Sequence, residues 1–124
     1  MKQNIIAEKS VAFAVRIVNL SRYLKTQKTE SILLNQILRS GTSIAANVQE
    51  ATMSMSKKEF YSKMSVSLKE ARETNFWLKV LYETQTLKDK EFESMSRECE
   101  EIEKILFSIL KTMRNNVSGG GKKE

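Results

Sequence analysis

From Leu34 to Ala51 the apolar and small side chains fall at Leu34, Ile37, Gly41, Ile44, Val48 and Ala51, in steps of three and four. That spacing marks one face of an α-helix. A loop inside "RSGTSIAANVQEA" (residues 39–51) would reset the count, and the count passes through Gly41 unbroken. The stretch is therefore expected to be continuous helix, although a mid-helix glycine costs about 1 kcal/mol against alanine. No proline occurs anywhere in the chain, so the commonest helix breaker is absent.

Three further segments carry the same periodicity. Ile6, Ser10, Phe13, Ile17, Leu20 and Leu24 form the seam of a first helix, with Val11, Val15 and Val18 as a second apolar stripe beside it. The link "TQKT" places Thr29 as N-cap of the second helix, with Glu30 favourable to its dipole. After "TMSMSK", Ser56 and Glu59 match a capping box, and Met55 and Phe60 match a hydrophobic staple. The third helix is expected to bury Phe60, Met64, Leu68, Ala71, Leu78 and Leu81, with Trp77 and Tyr82 flanking them. The fourth opens near Thr86 or Lys88 and has the seam Phe92, Met95, Cys99, Ile102, Leu106, Ile109 and Met113, widened by Ile105 and Leu110.

Short links force sequential helices to lie antiparallel. The expected fold is all-α, an up-down-up-down antiparallel four-helix bundle over residues 1–116, followed by a flexible Gly/Lys tail at 117–124. A chain of 124 residues suffices for one such core without metals or disulfides. The stretch "NIIAEKS" is interrupted by Glu8 and Lys9, and no apolar run approaches a membrane span, so a cytoplasmic protein without a leader or membrane anchor is expected.

Inventory limits the chemistry. With no histidine, the commonest general base and metal ligand are both absent. Cys99 sits between Met95 and Ile102 on the seam and reads as a small buried thiol rather than a nucleophile. Glycines 119–121 lack phosphate-loop spacing. The Glu98–Glu103 group alternates with Arg97 and Lys104 and reads as a solvated face. Neither catalytic residues nor a metal or other cofactor is expected.

Two surfaces stand out instead. Ser40, Gly41, Ser43, Ala45 and Ala46 make the second helix thin enough for a neighbour to approach closely, within the bundle or from another subunit. Arg39, Asn47 and Glu50 add polar groups able to reach the Lys69–Glu73 region of the third helix. The net charge of +6 is concentrated early, where Lys2, Lys9, Arg16, Arg22, Lys25 and Lys28 face only Glu8. Lys2, Lys9 and Arg16 are seven apart and share a face, and Lys57 and Lys58 start the third helix at the same end as Lys2. Lys2, Lys9, Arg16, Arg22, Lys25, Lys57 and Lys58 are the candidate nucleic-acid-binding residues, through salt-dependent phosphate contacts. No aromatic residues interleave with them to stack on bases.

"RSGTSIAANVQEA" followed by "KKEFYSKMSVSLKEARETNFWLKVL" (57–81) resembles the family of four-helix bundle proteins encoded in intervening sequences of bacterial 23S ribosomal RNA genes, also called S23 ribosomal protein. The likeness runs from the first helix to about Met113. It implies a four-helix bundle that assembles into a homopentameric ring, and by fold a similarity to a nucleic-acid-binding retroelement accessory protein. Carried onto this chain, it implies that Arg39, Gly41, Thr42, Ser43, Asn47, Glu50, Ala51, Lys69, Glu70, Ala71, Glu73, Thr74, Trp77 and Leu78 shape helix packing and the subunit contact.

The resulting expectation is a non-enzymatic, self-assembling bundle that binds RNA or DNA through a basic surface. The alternative is a protein–protein adaptor with no nucleic-acid role. The surplus Val11, Val15 and Val18 stripe favours self-association, since a monomer would leave it wet.

Overall fold

The computed structural model describes the backbone of residues 2–123 and the side chains of residues 4–116. Four helices follow one another: α1 (Lys2–Thr26), α2 (Ser31–Thr52), α3 (Lys57–Glu83) and α4 (Asp89–Lys123). The expected tail at 117–124 lies outside the residues whose side chains are described. Each helix packs against two others, α1 on α2 and α4, and α3 on α2 and α4, which is the cycle of a four-helix bundle. Their directions follow from the cross-helix bonds. Lys9 meets Glu101 and Arg16 meets Glu98, so α1 and α4 are antiparallel. Cys99 reaches Ala71 and Ser96 reaches Asn75, so α3 and α4 are antiparallel too.

The apolar seams converge as the periodicity requires. Phe13 and Ile17 of α1, Ile37 and Ile44 of α2, Met64 and Leu78 of α3, and Ile102 and Leu106 of α4 are all fully buried. Gly41 lies inside α2, and the helix is unbroken across it. Leu20, Phe60, Phe92 and Met113 pack against this core from its margin.

Helix ends depart from the expectations in three places. The N-cap of α2 is Glu30, without a side-chain capping bond, and not Thr29. The reason is the preceding reversal: Lys28 adopts φ 64°, and the Thr29 N–H is drawn back to the Leu24 carbonyl at 3.1 Å, closing the end of α1. Ser56 does cap α3, accepting from the Glu59 N–H at 3.0 Å, but no return bond from the Glu59 carboxylate is formed. The staple does not close tightly: Met55 is 94% exposed and borders, with Phe60, Met113 and Asn116, one open cleft. A second left-handed residue, Gln85 with φ 63°, ends α3, where Thr86 donates back to Leu81.

Candidate functional site

The thin stretch of α2 is spent on two neighbours at once. Gly41 faces α1, where a Cβ built on it would stand 2.8 Å from both Cγ1 and Cγ2 of Ile17. Ser40 and Ile44 face α3. The Thr74 hydroxyl meets the Ser40 hydroxyl at 2.9 Å, and Ser67 donates to the Ile44 carbonyl at 2.9 Å. Ser40, Ser67 and Thr74 are all fully buried, and such bonds form only where backbones lie close.

Polar side chains extend this seam outward. Arg39 pairs with Glu70 at 3.3 Å and also with Glu73, whose carboxylate accepts from Trp77 Nε1 at 3.2 Å. Glu50 pairs with Lys63 at 2.8 Å. Asn47 and Ser43 turn back on their own helix, donating to the carbonyls of Ser43 and Arg39 respectively. Arg39, Gly41, Glu70, Glu73 and Trp77 are thus brought together along the α2–α3 and α1–α2 contacts, whereas among the described residues Asn47 and Ser43 reach no other helix by hydrogen bond.

The basic residues separate into two groups. Lys9 binds Glu101 at 3.0 Å, and Arg16 binds both Glu98 and the Ser94 hydroxyl, so these two cations are matched by carboxylates of α4. Arg97, Glu100, Glu101 and Lys104 are exposed, as the reading of a solvated face expects, but Glu98 and Glu101 also bridge to α1, and Glu103 is half-buried against α3, where Asn75 donates to it. Arg22, Lys25, Lys57 and Lys58 are exposed and make no ion pair among the described residues. The side chain of Lys2 lies outside the described residues.

Sequence reasoning missed the partners Ser94, Glu98 and Glu101. Their signal was present as the seven-residue spacing of Lys9 and Arg16 beside an acidic helix, but only an antiparallel register brings the two together. It also missed the chain formed by Ser96, Asn75 and Glu103 between α3 and α4. Burial raises the Glu103 carboxyl above the usual range, an effect that Asn75 and Arg72 partly oppose. Cys99 donates to the Ala71 carbonyl at 3.2 Å; burial, and then the charge of Glu103, hold its thiol well above the ordinary range. Such a thiol is inert as a nucleophile. Among the described residues no three His, Cys, Asp or Glu side chains gather as a metal set, and no helix is long and apolar enough to cross a membrane.

On the outer side of α1, Val11, Ala14, Val15 and Val18 line a shallow groove with Ala45 of α2, edged by Asn19 and Arg22. Val15 is 54% exposed. A second apolar patch lies on α3, where Phe76 is also 54% exposed and contacts Trp77 edge-on with ring centroids 4.9 Å apart.

A family model described as 23S rRNA-intervening sequence protein matches residues 2–108. The chain is also similar to a crystal structure of a protein of unknown function from the S23 ribosomal protein family of Bacteroides thetaiotaomicron VPI-5482. The two are 45% identical over 90% of this chain and 99% of that one, with a TM-score of 0.87. No curated protein matches.

Proposed function

We propose, from the premise that the chain belongs to the 23S rRNA-intervening sequence protein family, that it is a non-catalytic cytoplasmic bundle that self-assembles through the outer face of α1. The observation that carries this reading is the valine groove. Val11 and Val15 stand exposed beside Ala14, Val18 and Ala45, a contiguous apolar surface that folding of one chain leaves wet. A ring of five copies is the assembly that the family resemblance suggests. Light scattering at micromolar concentration tests it: the wild type is expected as a multimer, and Val15→Glu as a smaller species. A monomeric wild type overturns the reading.

The same assembly is proposed to carry nucleic acid on Lys57 and Lys58 at the start of α3, two of the exposed cations that make no ion pair among the described residues, with Lys25 at the opposite end of the bundle. Affinity for structured RNA should fall linearly in log–log form with salt, and Lys57→Glu/Lys58→Glu should weaken it at every salt concentration. Salt-independent or absent binding would leave the protein–protein adaptor as the better reading.

A further inference from the structure

We infer that the α1 face is covered by α3 of a second copy, in parallel register, with Val15 set against Phe76 of that copy. This rests on the self-assembly reading above and names the surface that meets the valine groove. Because α1 and α3 are each antiparallel to α4, they run the same way. Two copies standing side by side in the same orientation therefore present α1 and α3 to each other as parallel helices.

The two helices match in spacing. On α1 the exposed Ile5 and Val15 are ten residues apart, and on α3 the exposed Val66 and Phe76 are also ten apart. Placing Val15 on Phe76 of the next copy places Ile5 on Val66. The charges then fall into opposite pairs: Glu8 meets Lys69, and Arg22 meets Glu83. All four are exposed, and none makes an ion pair within its own chain among the described residues. Among the described side chains no like charges oppose each other in this register, since Val11 faces Arg72 and Val18 faces Lys79.

An antiparallel pairing of α1 with its own copy about Val15 would also set Glu8 against Arg22. It would leave Phe76 and Val66 in water, whereas the α1–α3 contact covers these two together with Val15 and Ile5. A contact between two different faces repeats from copy to copy and closes into a ring or extends as a filament.

Disulfide trapping decides between them. The double variant Val15→Cys/Phe76→Cys, oxidised in its native assembly, should give a ladder of linked dimers and higher species that collapses on reduction, while each single variant gives no cross-link. A linked dimer from Val15→Cys alone overturns the inference in favour of the antiparallel pair. No ladder from the double variant, in an assembly of wild-type mass, overturns the register while the self-assembly reading stands. As a second measurement, Glu8→Lys should lower the assembled mass and Glu8→Lys/Lys69→Glu should restore it. Restoration by Glu8→Lys/Arg22→Glu instead would overturn the inference.

Discussion

Ile17 of α1 occupies the space in which a side chain at position 41 of α2 would stand: a Cβ on Gly41 would lie 2.8 Å from its Cγ1 and Cγ2. Both atoms branch from the Ile17 Cβ, itself only 3.2 Å away, so no flexible end can swing clear. Gly41→Ala gains about 1 kcal/mol of helix propensity, and overpacking of this kind costs about 1–3 kcal/mol. We expect a net loss of about 1 kcal/mol, read as a lower midpoint in urea. Gly41→Ala/Ile17→Ala should lose less than the two single variants added together, because the second change removes the crowded methyl groups.

The buried hydroxyls between α2 and α3 report how near those helices lie. Ser67→Ala removes the bond to the Ile44 carbonyl, and Thr74→Val removes the partner of Ser40. Each should cost about 1 kcal/mol in chemical denaturation. Ser67→Leu should cost clearly more than Ser67→Ala, since its bulk has to push apart helices that are closely packed.

Charge reversal should separate the two groups of basic residues. Lys9→Glu/Arg16→Glu sets like charges against Glu101 and Glu98, and its melting temperature should fall, by less at 1 M salt than at 0.05 M salt. Lys57→Glu/Lys58→Glu, at the start of α3, should melt at or above the wild-type temperature, because acidic groups suit a helix N-terminus. A loss of RNA binding in that second variant is then not a loss of fold.

Glu103 predicts a pH effect. Its folded carboxyl is raised above the ordinary value of 4.5, first by burial. The folded state therefore holds its proton at pH values where the unfolded chain has released it, and stability from this group declines as pH rises through that window. Glu103→Gln keeps an acceptor for Asn75 without the charge. It should be at least as stable as the wild type at pH 7, by less than about 1 kcal/mol given partial exposure to water. Thermal melts from pH 4 to 7 should show the difference shrinking toward the acidic end.

Lys28 and Gln85 hold left-handed conformations at the ends of α1 and α3. A side chain there costs about 1 kcal/mol relative to glycine. Lys28→Gly and Gln85→Gly should each raise stability by up to that amount, measured by the same denaturation midpoint. A substitution that lowers it would mean that the unfolded chain gains more freedom than the native turn gains relief.

Much of this molecule was legible in the order of its residues. The three-and-four spacing located all four helices, carried α2 through Gly41, and marked Phe13, Ile37, Met64, Cys99 and Ile102 as interior. These are local properties, because the pitch of a helix decides which side chains share a face. The start of α2 was misplaced by one residue because the left-handed turn at Lys28 comes from the way α1 closes, and no glycine announces it. The staple pattern at Met55 is not realised, because the path of the link leaves that side chain in solvent.

What the tertiary structure alone decided is pairing. Lys9 and Arg16 looked no different from Lys57 and Lys58 as positive charges, yet the first two are matched by α4 and the others are left to solvent. Gly41 announced a close approach without saying that Ile17 makes it. A periodic pattern fixes the face that a helix buries, but not its rotation and sliding against each neighbour. Those depend on side-chain volumes across the whole core, and they determine which charges meet, which hydroxyls are shared and which valines remain uncovered.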